Sequence, residues 1–362
     1  MIEGPRLDAE RAPVVTVRPA VLERNARRVA DRFDGELVGV TKGVSGDPRV
    51  ARAMLEGGAT AIADSRLVNL RRLRETGDID CECYLLRTPM RSEVEDVVRD
   101  VDVSMQSEPS ILRAIGAAAS RRDVDHRAVL AVDVGDRREG IMPDDLESTL
   151  ATVETFDGVE VVGIAAHVGS LNGVVPTAES AAHFVELVER AERTVSRQLP
   201  IRSGGSSNAL SLCFAGDLPT EVTQLRVGEA ILLGTDPATG EVLPGFETDA
   251  FVLSADVIEC KPKPSTPDGT IRRDAFGESP TVEDRGTRDR AIVALGRVDV
   301  AVEGLTPVRD GIDVLGASSD HTVLDVTDAR GTVRPGDSIA FSPEYGALAR
   351  SVASQYVTTA YE

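Results

Sequence analysis

The sequence predicts an α/β protein in which a (β/α)₈ barrel of the TIM type is followed by a smaller C-terminal β domain. Eight short β-rich runs alternate with amphipathic helical segments up to residue 235, and β-rich runs separated by turn signals follow. A barrel of this type uses roughly 250 residues, so a chain of 362 leaves about 110 for a second domain. We therefore assign residues 1–235 to the barrel, although residues 1–15 or so are expected to pair with the second domain, and residues 236–362 to the β domain.

The barrel assignment depends on the β-rich runs and on the segments between them. In those segments apolar residues recur at i, i+3, i+4 and i+7, which predicts amphipathic helices, and Pro48 and Pro109 lie where two helices should begin. Strand–helix repeats of this kind form a parallel sheet, and eight of them close a barrel. The predicted strands are ELVGVT at 36–41, TAIAD at 60–64, CECYLLR at 81–87, VDVSM at 101–105, RAVLAVDV at 127–134, VEVVGIAAH at 159–167, LPIRS at 199–203 and TQLRV at 223–227.

The β domain is predicted from runs at 250–261, 290–300, 312–327 and 337–343, which turn signals such as EGL and RPGD separate. Helical periodicity is absent from this part until the last residues of the chain. The segment 262–290 is polar and rich in proline and glycine, so we expect a long loop there. Loops of that length are often functional or mobile.

Composition restricts the partners and the location of the chain. The net charge of −20 argues against nucleic acid, because a strongly acidic surface repels phosphate. Sixty acidic residues and 37 arginines accompany only three lysines, which suggests adaptation to high salt, where screening weakens self-repulsion. An apolar run of 18 residues and a signal-peptide pattern are both absent, so we expect a cytoplasmic protein without membrane contact. The four cysteines and four histidines form no pattern typical of a metal site or a disulfide framework.

Polar residues follow most of the predicted barrel strands. The active site of such a barrel lies at the carboxyl ends of its strands, so these residues are expected to converge on one rim. They are Lys42 after the first strand, Asp64 after the second, Arg87 after the third, residues 133–140 after the fifth, His167 after the sixth, residues 203–207 after the seventh and residues 226–229 after the eighth.

Lys42 is the first candidate catalytic residue. It follows an apolar strand in a chain that otherwise avoids lysine. A desolvated lysine beside other cations has a depressed pKa and readily forms Schiff bases. Pyridoxal 5′-phosphate (PLP) is the usual reason for such a lysine in a cytoplasmic enzyme. We interpret Lys42 as the residue that binds PLP, and the alternative is a partly buried ion pair.

Two glycine-rich segments on adjacent strands predict the phosphate site. GGSS at 204–207 and GEA at 228–230 lie where barrel enzymes commonly bind phosphate. Glycines let backbone N–H groups approach the oxygens, and serine hydroxyls add donors. Each segment alone is consistent with an ordinary tight turn, whereas two of them facing a lysine favour a phosphate site. The candidates are Ser206, Ser207, Gly228, Glu229 and Ala230.

Arg226 and His167 are expected to flank the pyridine ring of the cofactor. A guanidinium beside the ring nitrogen only donates hydrogen bonds, so that nitrogen should stay unprotonated. An unprotonated ring withdraws electrons less strongly, which favours removal and return of the Cα proton over transamination. The alternative for His167 is a core histidine whose ring nitrogens are satisfied.

The motifs at these strand ends resemble those of the alanine racemase family, the fold type III PLP enzymes. The resemblance spans most of the chain, and the sequences ADSR at 63–66 and YGAL at 345–348 are similar to a narrower, ornithine racemase-like branch. The motifs that resemble the whole family are VTKG at 40–43, DxGxxRxG at 133–140, GxxxH at 163–167, RxG at 226–228 and SSDHTxxDVT at 318–327.

This resemblance implies a function, a cofactor and roles for the site residues. It implies a PLP-dependent racemase that acts on a free amino acid. By the same resemblance, Arg138 contacts the phenolic oxygen of PLP and the substrate, His167 lies near the ring, and Arg226 meets the ring nitrogen. Members of the family generally act as head-to-tail homodimers in which each β domain completes the partner's site, so we expect a homodimer.

The second catalytic base is where the chain departs from the family pattern. Alanine racemases carry a tyrosine early in the β domain, and this chain has none there. Tyr345, which Gly-Ala follows, is a candidate replacement, and Asp320 is another. Tyr345 is equally consistent with a core tyrosine whose hydroxyl is satisfied.

Three functions remain open from the sequence. The first is a racemase of alanine, ornithine or a broader set of amino acids, in which Lys42 and a second base exchange the Cα proton. The second is a decarboxylase or a D-amino-acid aldolase of the same fold. The third is a non-catalytic carrier that regulates PLP supply, against which the additional β domain argues.

Overall fold

The computed structural model describes residues 13–279 and 281–362. Two compact units are present, one formed by Pro19–Thr248 and the other by the described residues up to Arg18 together with Asp249–Glu362. The first strand, β1 (Val14–Val17), belongs to the second unit, where it pairs with residues 251–254. The segment up to about residue 15 was expected to pair with the second domain. Val14 and Val15 of that segment pair with Ser254 and Leu253, and residues 1–12 lie outside the described residues.

The larger unit is a closed barrel of eight parallel strands, which confirms the predicted fold class. Each predicted run overlaps one observed strand, because short apolar β-rich runs between amphipathic helices are specific to this architecture. The strands are β2 (Glu36–Val40), β3 (Ala61–Asp64), β4 (Glu82–Leu85), β5 (Val103–Gln106), β6 (His126–Val132), β7 (Val159–Ala166), β8 (Ile201–Ser206) and β9 (Gln224–Val227).

Helices connect these strands, and two of them begin at the prolines predicted to start a helix. Pro48 and Pro109 are the first residues of two helices, and the side chain of Asp47 caps the first of them by accepting from the backbone N–H of Val50 at 3.1 Å. The helices are α1 (Pro19–Ala30), α2 (Pro48–Glu56), α3 (Leu67–Glu75), α4 (Val94–Asp100), α5 (Pro109–Ser120), α6 (Leu146–Val153), α7 (Ala178–Val195), α8 (Leu210–Ala215) and α9 (Glu229–Leu233). Among the described residues, none of the helices combines the length and the apolar character needed to cross a membrane.

One buried hydrophobic cluster fills the barrel interior. Seven of the eight strands contribute to it, and a cluster that so many strands of a closed barrel share lies inside the barrel. Since side chains alternate along a strand, its members identify the inward-facing positions. They are Val38, Val40, Ala61, Ala63, Tyr84, Val103, Met105, Val129, Val162, Ala165 and Ile201.

A buried histidine gives the barrel unit a pH-dependent stability. His126 begins β6, and its Nε2 lies 2.8 Å from Ser104 Oγ. Burial lowers the pKa of His126 to about 4. The unfolded chain has an ordinary histidine pKa near 6.5 and binds a proton that the folded chain excludes. His126 should therefore leave the free energy of unfolding unchanged above pH 6.5. Between pH 6.5 and pH 4 the free energy of unfolding should fall by roughly 1.4 kcal/mol per pH unit because of this one group.

We expect His126→Gln to remove this dependence. The amide keeps a hydrogen-bonding group towards Ser104 but takes up no proton. Between about pH 7 and pH 4 the free energy of unfolding of the variant should therefore fall by roughly 3 kcal/mol less than that of the wild type. Guanidinium unfolding at several pH values measures the difference. His183→Gln, a change at an exposed position of α7, is the control and should leave the pH profile unaltered. If the free energy of unfolding fell equally with pH in His126→Gln and in the wild type, His126 would not be the source of the pH dependence.

In its described residues, the smaller unit is an eight-stranded sheet with one α-helix, α10 (Tyr345–Ala353). Besides β1, its strands are β10 (Phe251–Pro264), β11 (Thr287–Val293), β12 (Leu305–Pro307), β13 (Asp313–Ala317), β14 (Thr322–Asp325), β15 (Ser338–Pro343) and β16 (Thr358–Tyr361). The strand order is β12-β15-β10-β11-β14-β13, and β1 lies between β10 and β16, antiparallel to the first and parallel to the second.

Two boundaries differ from those expected. The loop expected at 262–290 spans only 265–286, because β10 and β11 pair as far as Pro264 and Thr287. Pro262 and Pro264 are two residues apart in β10, so their missing N–H groups belong to the same edge of the strand. The other edge keeps its N–H groups and pairs normally with β11. Residues 236–248 belong to the barrel unit rather than to the β unit, since Asn25 Nδ2 donates to the Glu247 carbonyl at 2.8 Å.

Candidate active site

Lys42 lies immediately beyond β2, at the start of a short 3₁₀ turn (Lys42–Val44). Thr41 fixes its backbone, because the Thr41 hydroxyl donates to Asp64 Oδ2 at 2.9 Å and the Thr41 carbonyl accepts from Val44 N–H at 2.9 Å. The ends of β2 and β3 are thereby joined directly beneath Lys42.

Asp64 anchors this part of the rim. Its carboxylate is buried and also accepts from the backbone N–H of Arg66 at 2.9 Å and from Asn69 Nδ2 at 3.0 Å. Burial raises the pKa of Asp64, and these hydrogen bonds oppose the rise. The sequence places Asp64 on the rim, and the structure shows that its side chain holds the rim together.

Cations surround the Lys42 amine. Burial lowers the pKa of Lys42, and the positive charges of Arg138 and Arg226 lower it further, while Asp64 and Glu139 act in the opposite direction. The side chain of Lys42 nevertheless reaches solvent at the barrel mouth. A larger fraction of its amine is therefore neutral near pH 7 than in an ordinary lysine, as proton abstraction requires.

Arg226 lies inside the barrel mouth and is 6% exposed. Its Nη1 donates to the carbonyl of Ser203 at 3.1 Å and to the hydroxyl of the same residue, and its Nη2 donates to the Ala166 carbonyl at 2.8 Å. Burial and the charge of Arg138 lower the pKa of Arg226 to about 10. The guanidinium thus remains a cation at neutral pH and is fixed in orientation by β7 and β8.

His167 follows β7 and is half-buried, with its Nε2 hydrogen-bonded to Ser170 Oγ. Burial lowers the pKa of His167 to about 3, and the charges of Arg226, Arg138 and Lys42 contribute. The imidazole is therefore neutral at physiological pH. It is suited to contact a ring through its face, and it is not a source of positive charge.

The segment after β6 presents Arg138 through a loop that requires glycine. Asp133 Oδ1 accepts from Gly135 N–H at 2.8 Å and from Arg137 N–H at 3.2 Å, which closes the loop on itself. Gly140 has φ +139°, and a Cβ there would lie 2.5 Å from the backbone N of Asp133. Arg138, between these fixed points, forms an ion pair with Glu139.

Asp136 lies in the predicted rim segment 133–140, and its structural role could not be predicted. Its carboxylate accepts from three successive backbone N–H groups, those of Ser170, Leu171 and Asn172, at 3.1 to 3.3 Å. Burial alone would raise the pKa of Asp136, but these hydrogen bonds outweigh it and lower the pKa. Asp136 thus joins the Arg138 loop to the loop after His167. No sequence signal identifies this contact, because a motif does not show which carboxylate a distant backbone segment contacts.

The two glycine-rich segments contact each other. Ser207 Oγ accepts from the backbone N–H groups of Gly228 at 3.3 Å and Ala230 at 3.2 Å. A Cβ on Gly228 would lie 3.1 Å from Val40, so glycine allows β9 to end this close to β2. Ser206, which ends β8, is half-buried beside this contact, and Glu229 is the first residue of α9. Donors that converge in this way are typical of anion-binding loops.

The sequence model of the alanine racemase N-terminal domain matches residues 17–236. The chain belongs to the alanine racemase family. Within it, the chain is 39% identical to the ornithine racemase of Acetoanaerobium sticklandii over 82% of this chain and 83% of the relative. It is 37% identical to the lysine racemase of Thermotoga maritima over 97% of this chain and 98% of the relative. The predicted resemblance is confirmed, and the chain is an amino-acid racemase of this family.

A solved member of the alanine racemase family has the same fold. The alanine racemase from Streptomyces lavendulae superposes with a TM-score of 0.73, covering 96% of each chain at 18% identity. At this identity the likeness concerns the fold alone. It agrees with the barrel and β sheet described above.

The two candidates for the second base belong to the β unit. Tyr345 is the half-buried first residue of α10, and Asp320 lies in the exposed turn between β13 and β14, where Ser319 Oγ donates to its Oδ2 at 2.7 Å. Both remain predictions. Of the predicted residues, the structure brings together Lys42, Arg138, His167 and Arg226 around one barrel mouth.

Proposed function

We propose that this racemase is PLP-dependent and interconverts L- and D-amino acids by exchanging the Cα proton between two bases, one of which is Lys42. The observation that carries the proposal is the lysine at the end of β2, whose pKa burial, Arg138 and Arg226 lower. Members of the alanine racemase family use PLP. When bound, this cofactor withdraws electrons from Cα and makes the Cα proton acidic.

The rim residues fit PLP in charge and in donor set. Lys42 would hold it through its amine, and Arg226, a donor only, suits an unprotonated ring nitrogen. His167 is neutral and would lie against the ring, while Arg138 would bind the phenolic oxygen and the substrate carboxylate. The phosphate would lie at the junction of the two glycine-rich segments, and the residues proposed to hold it are Ser206, Ser207, Gly228, Glu229 and Ala230.

Lys42 is proposed to take and return the Cα proton on one face of the substrate. Its lowered pKa supplies the neutral amine, and the neighbouring arginines stabilise negative charge that develops at the substrate. For the other face we propose Tyr345 of a partner subunit, with Asp320 as the second candidate. A homodimer is therefore part of this proposal, as are a cytoplasmic location and operation at high salt.

The names of the relatives guide the substrate proposal. One is an ornithine racemase and the other a lysine racemase, so we propose a basic amino acid as the substrate. Alanine and serine remain the comparison substrates.

The test is a screen of L-ornithine, L-lysine, L-alanine and L-serine in deuterium oxide, at low and high salt, with the PLP-loaded protein. We expect loss of optical rotation together with solvent deuterium at Cα, and a kcat/KM at least about tenfold higher for the basic amino acids. Release of carbon dioxide would indicate the decarboxylase, and release of an aldehyde the aldolase. A protein that binds PLP but exchanges no Cα proton with any amino acid would overturn the proposal and favour a carrier.

A further inference from the structure

Four side chains form a continuous hydrogen-bonded series, the interior relay (Glu36, Gln224, Ser203 and Arg226). Arg226 Nη1 donates to Ser203 Oγ, Ser203 Oγ donates to Gln224 Oε1 at 2.6 Å, and Gln224 Nε2 donates to Glu36 Oε2 at 2.7 Å. Ser203 and Gln224 have no exposed surface. The relay therefore joins a residue at the start of β2 to the cation at the end of β9.

The relay lies inside the barrel. Glu36 precedes the inward-facing Val38 by two residues, and Ser203 follows the inward-facing Ile201 by two. In the parallel register, Gln224 lies beside Glu36 and Arg226 beside Val38. The four residues thus run from the amino-terminal end of the barrel, where Glu36 is half-buried, to the carboxyl end, where Lys42 lies.

Glu36 sets the direction of every hydrogen bond in the relay. Both of its oxygens accept, one from Gln224 Nε2 and the other from Thr60 Oγ1 at 3.2 Å. If the Gln224 amide turned over, its oxygen would face the Glu36 carboxylate, and two acceptors repel each other. The amide therefore keeps its oxygen towards Ser203, and the Ser203 proton points to that oxygen. A lone pair of Ser203 Oγ then remains for Arg226.

We propose that Glu36, Gln224 and Ser203 are positioning residues, which hold the Arg226 guanidinium in place against the ring nitrogen of PLP and thereby limit transamination. This inference rests on the proposed function. Of the acceptors of Arg226, the two backbone carbonyls are fixed by the strands, whereas the Ser203 hydroxyl accepts only in the rotamer that the relay selects. Loss of the relay would let the guanidinium turn, although the cofactor-contacting residues stay intact.

The test compares Ser203→Ala, Gln224→Leu and Glu36→Gln as PLP-loaded proteins. Two quantities are measured: the visible absorption spectrum between about pH 6 and pH 9, and the share of turnovers that convert the cofactor to pyridoxamine phosphate. We expect a spectrum whose pH dependence differs from that of the wild type, and a transamination share roughly tenfold higher. Glu36→Gln keeps the size of a half-buried side chain, so it serves if the two fully buried changes prevent folding.

Ser104→Ala is the matched control. Ser104 is also a fully buried barrel serine, and its hydroxyl lies 2.8 Å from His126 and accepts from Gln106 at 2.9 Å. This change should lower stability but leave the spectrum and the transamination share at wild-type values. The proposed role of the relay would be overturned if folded relay variants kept the spectrum and the transamination share of the wild type. It would also be overturned if Ser104→Ala changed both quantities as the relay variants do. A wild type that racemises no amino acid overturns the proposed function instead, and the pH dependence of the spectra still tests the relay.

Discussion

Replacing Lys42 with alanine is expected to lower racemisation by at least about 1,000-fold. The variant loses the amine that would hold PLP and the base that would move the Cα proton on one face. Its effect should exceed that of any substitution that only weakens binding, because cofactor attachment and proton transfer would both be lost. Optical rotation and deuterium exchange at Cα, measured with saturating PLP, determine the loss.

Lys261→Ala is the control for this experiment, since Lys261 is an exposed residue of β10 that pairs with Glu259 at 2.8 Å. It should retain full activity. The chain has only three lysines, so reduction of the PLP-loaded protein with borohydride followed by peptide mass mapping identifies the attachment site unambiguously. Label on Lys261 or Lys263, or full exchange activity in Lys42→Ala, would show that Lys42 has neither role.

The barrel could be predicted in detail because its signals are local. Each strand is a short apolar run, each helix repeats its apolar residues at helical spacing, and Pro48 and Pro109 mark two helix starts. The loop between β10 and β11 was expected to be longer, since proline and glycine content predicts turns. The ladder at Pro262 and Pro264 depends on which side of the strand pairs, and composition does not contain that information.

The rim could be predicted for a different reason. Once the barrel is assigned, the residue after each strand has a known place, so Lys42, His167 and Arg226 fall on one mouth without any contact being known. The groups that orient them could not be predicted in this way. Gln224 and Glu36 are 188 residues apart in sequence, and only the register of β9 against β2 brings them together. Asp136 is likewise defined by backbone N–H groups of a later loop.

Replacing Arg226 with glutamine should have the second largest effect. Glutamine is shorter than arginine and has one nitrogen where the guanidinium uses two, Nη1 and Nη2, so we expect at least one of the two backbone carbonyls that Arg226 now binds to lose its partner. Leaving a buried acceptor unpaired costs about 1–3 kcal/mol of stability. Loss of a fixed donor at the site should lower racemisation by about 100- to 1,000-fold. Removing this charge should also let the pKa of Lys42 rise, because Arg226 is one of the cations that depress it.

The decisive measurement in Arg226→Gln is the partition between racemisation and transamination, not the rate. An amide can accept as well as donate, so it permits a protonated ring nitrogen, which a guanidinium excludes. A protonated ring withdraws electrons more strongly, and the share of transamination should rise even as total turnover falls. Arg202→Gln provides the control, because Arg202 is a half-buried arginine of β8 that pairs with Glu192 at 2.9 Å. If Arg226→Gln lost activity with an unchanged partition, Arg226 would be a structural residue of the barrel mouth, and the specificity of the reaction would have to come from elsewhere on the rim.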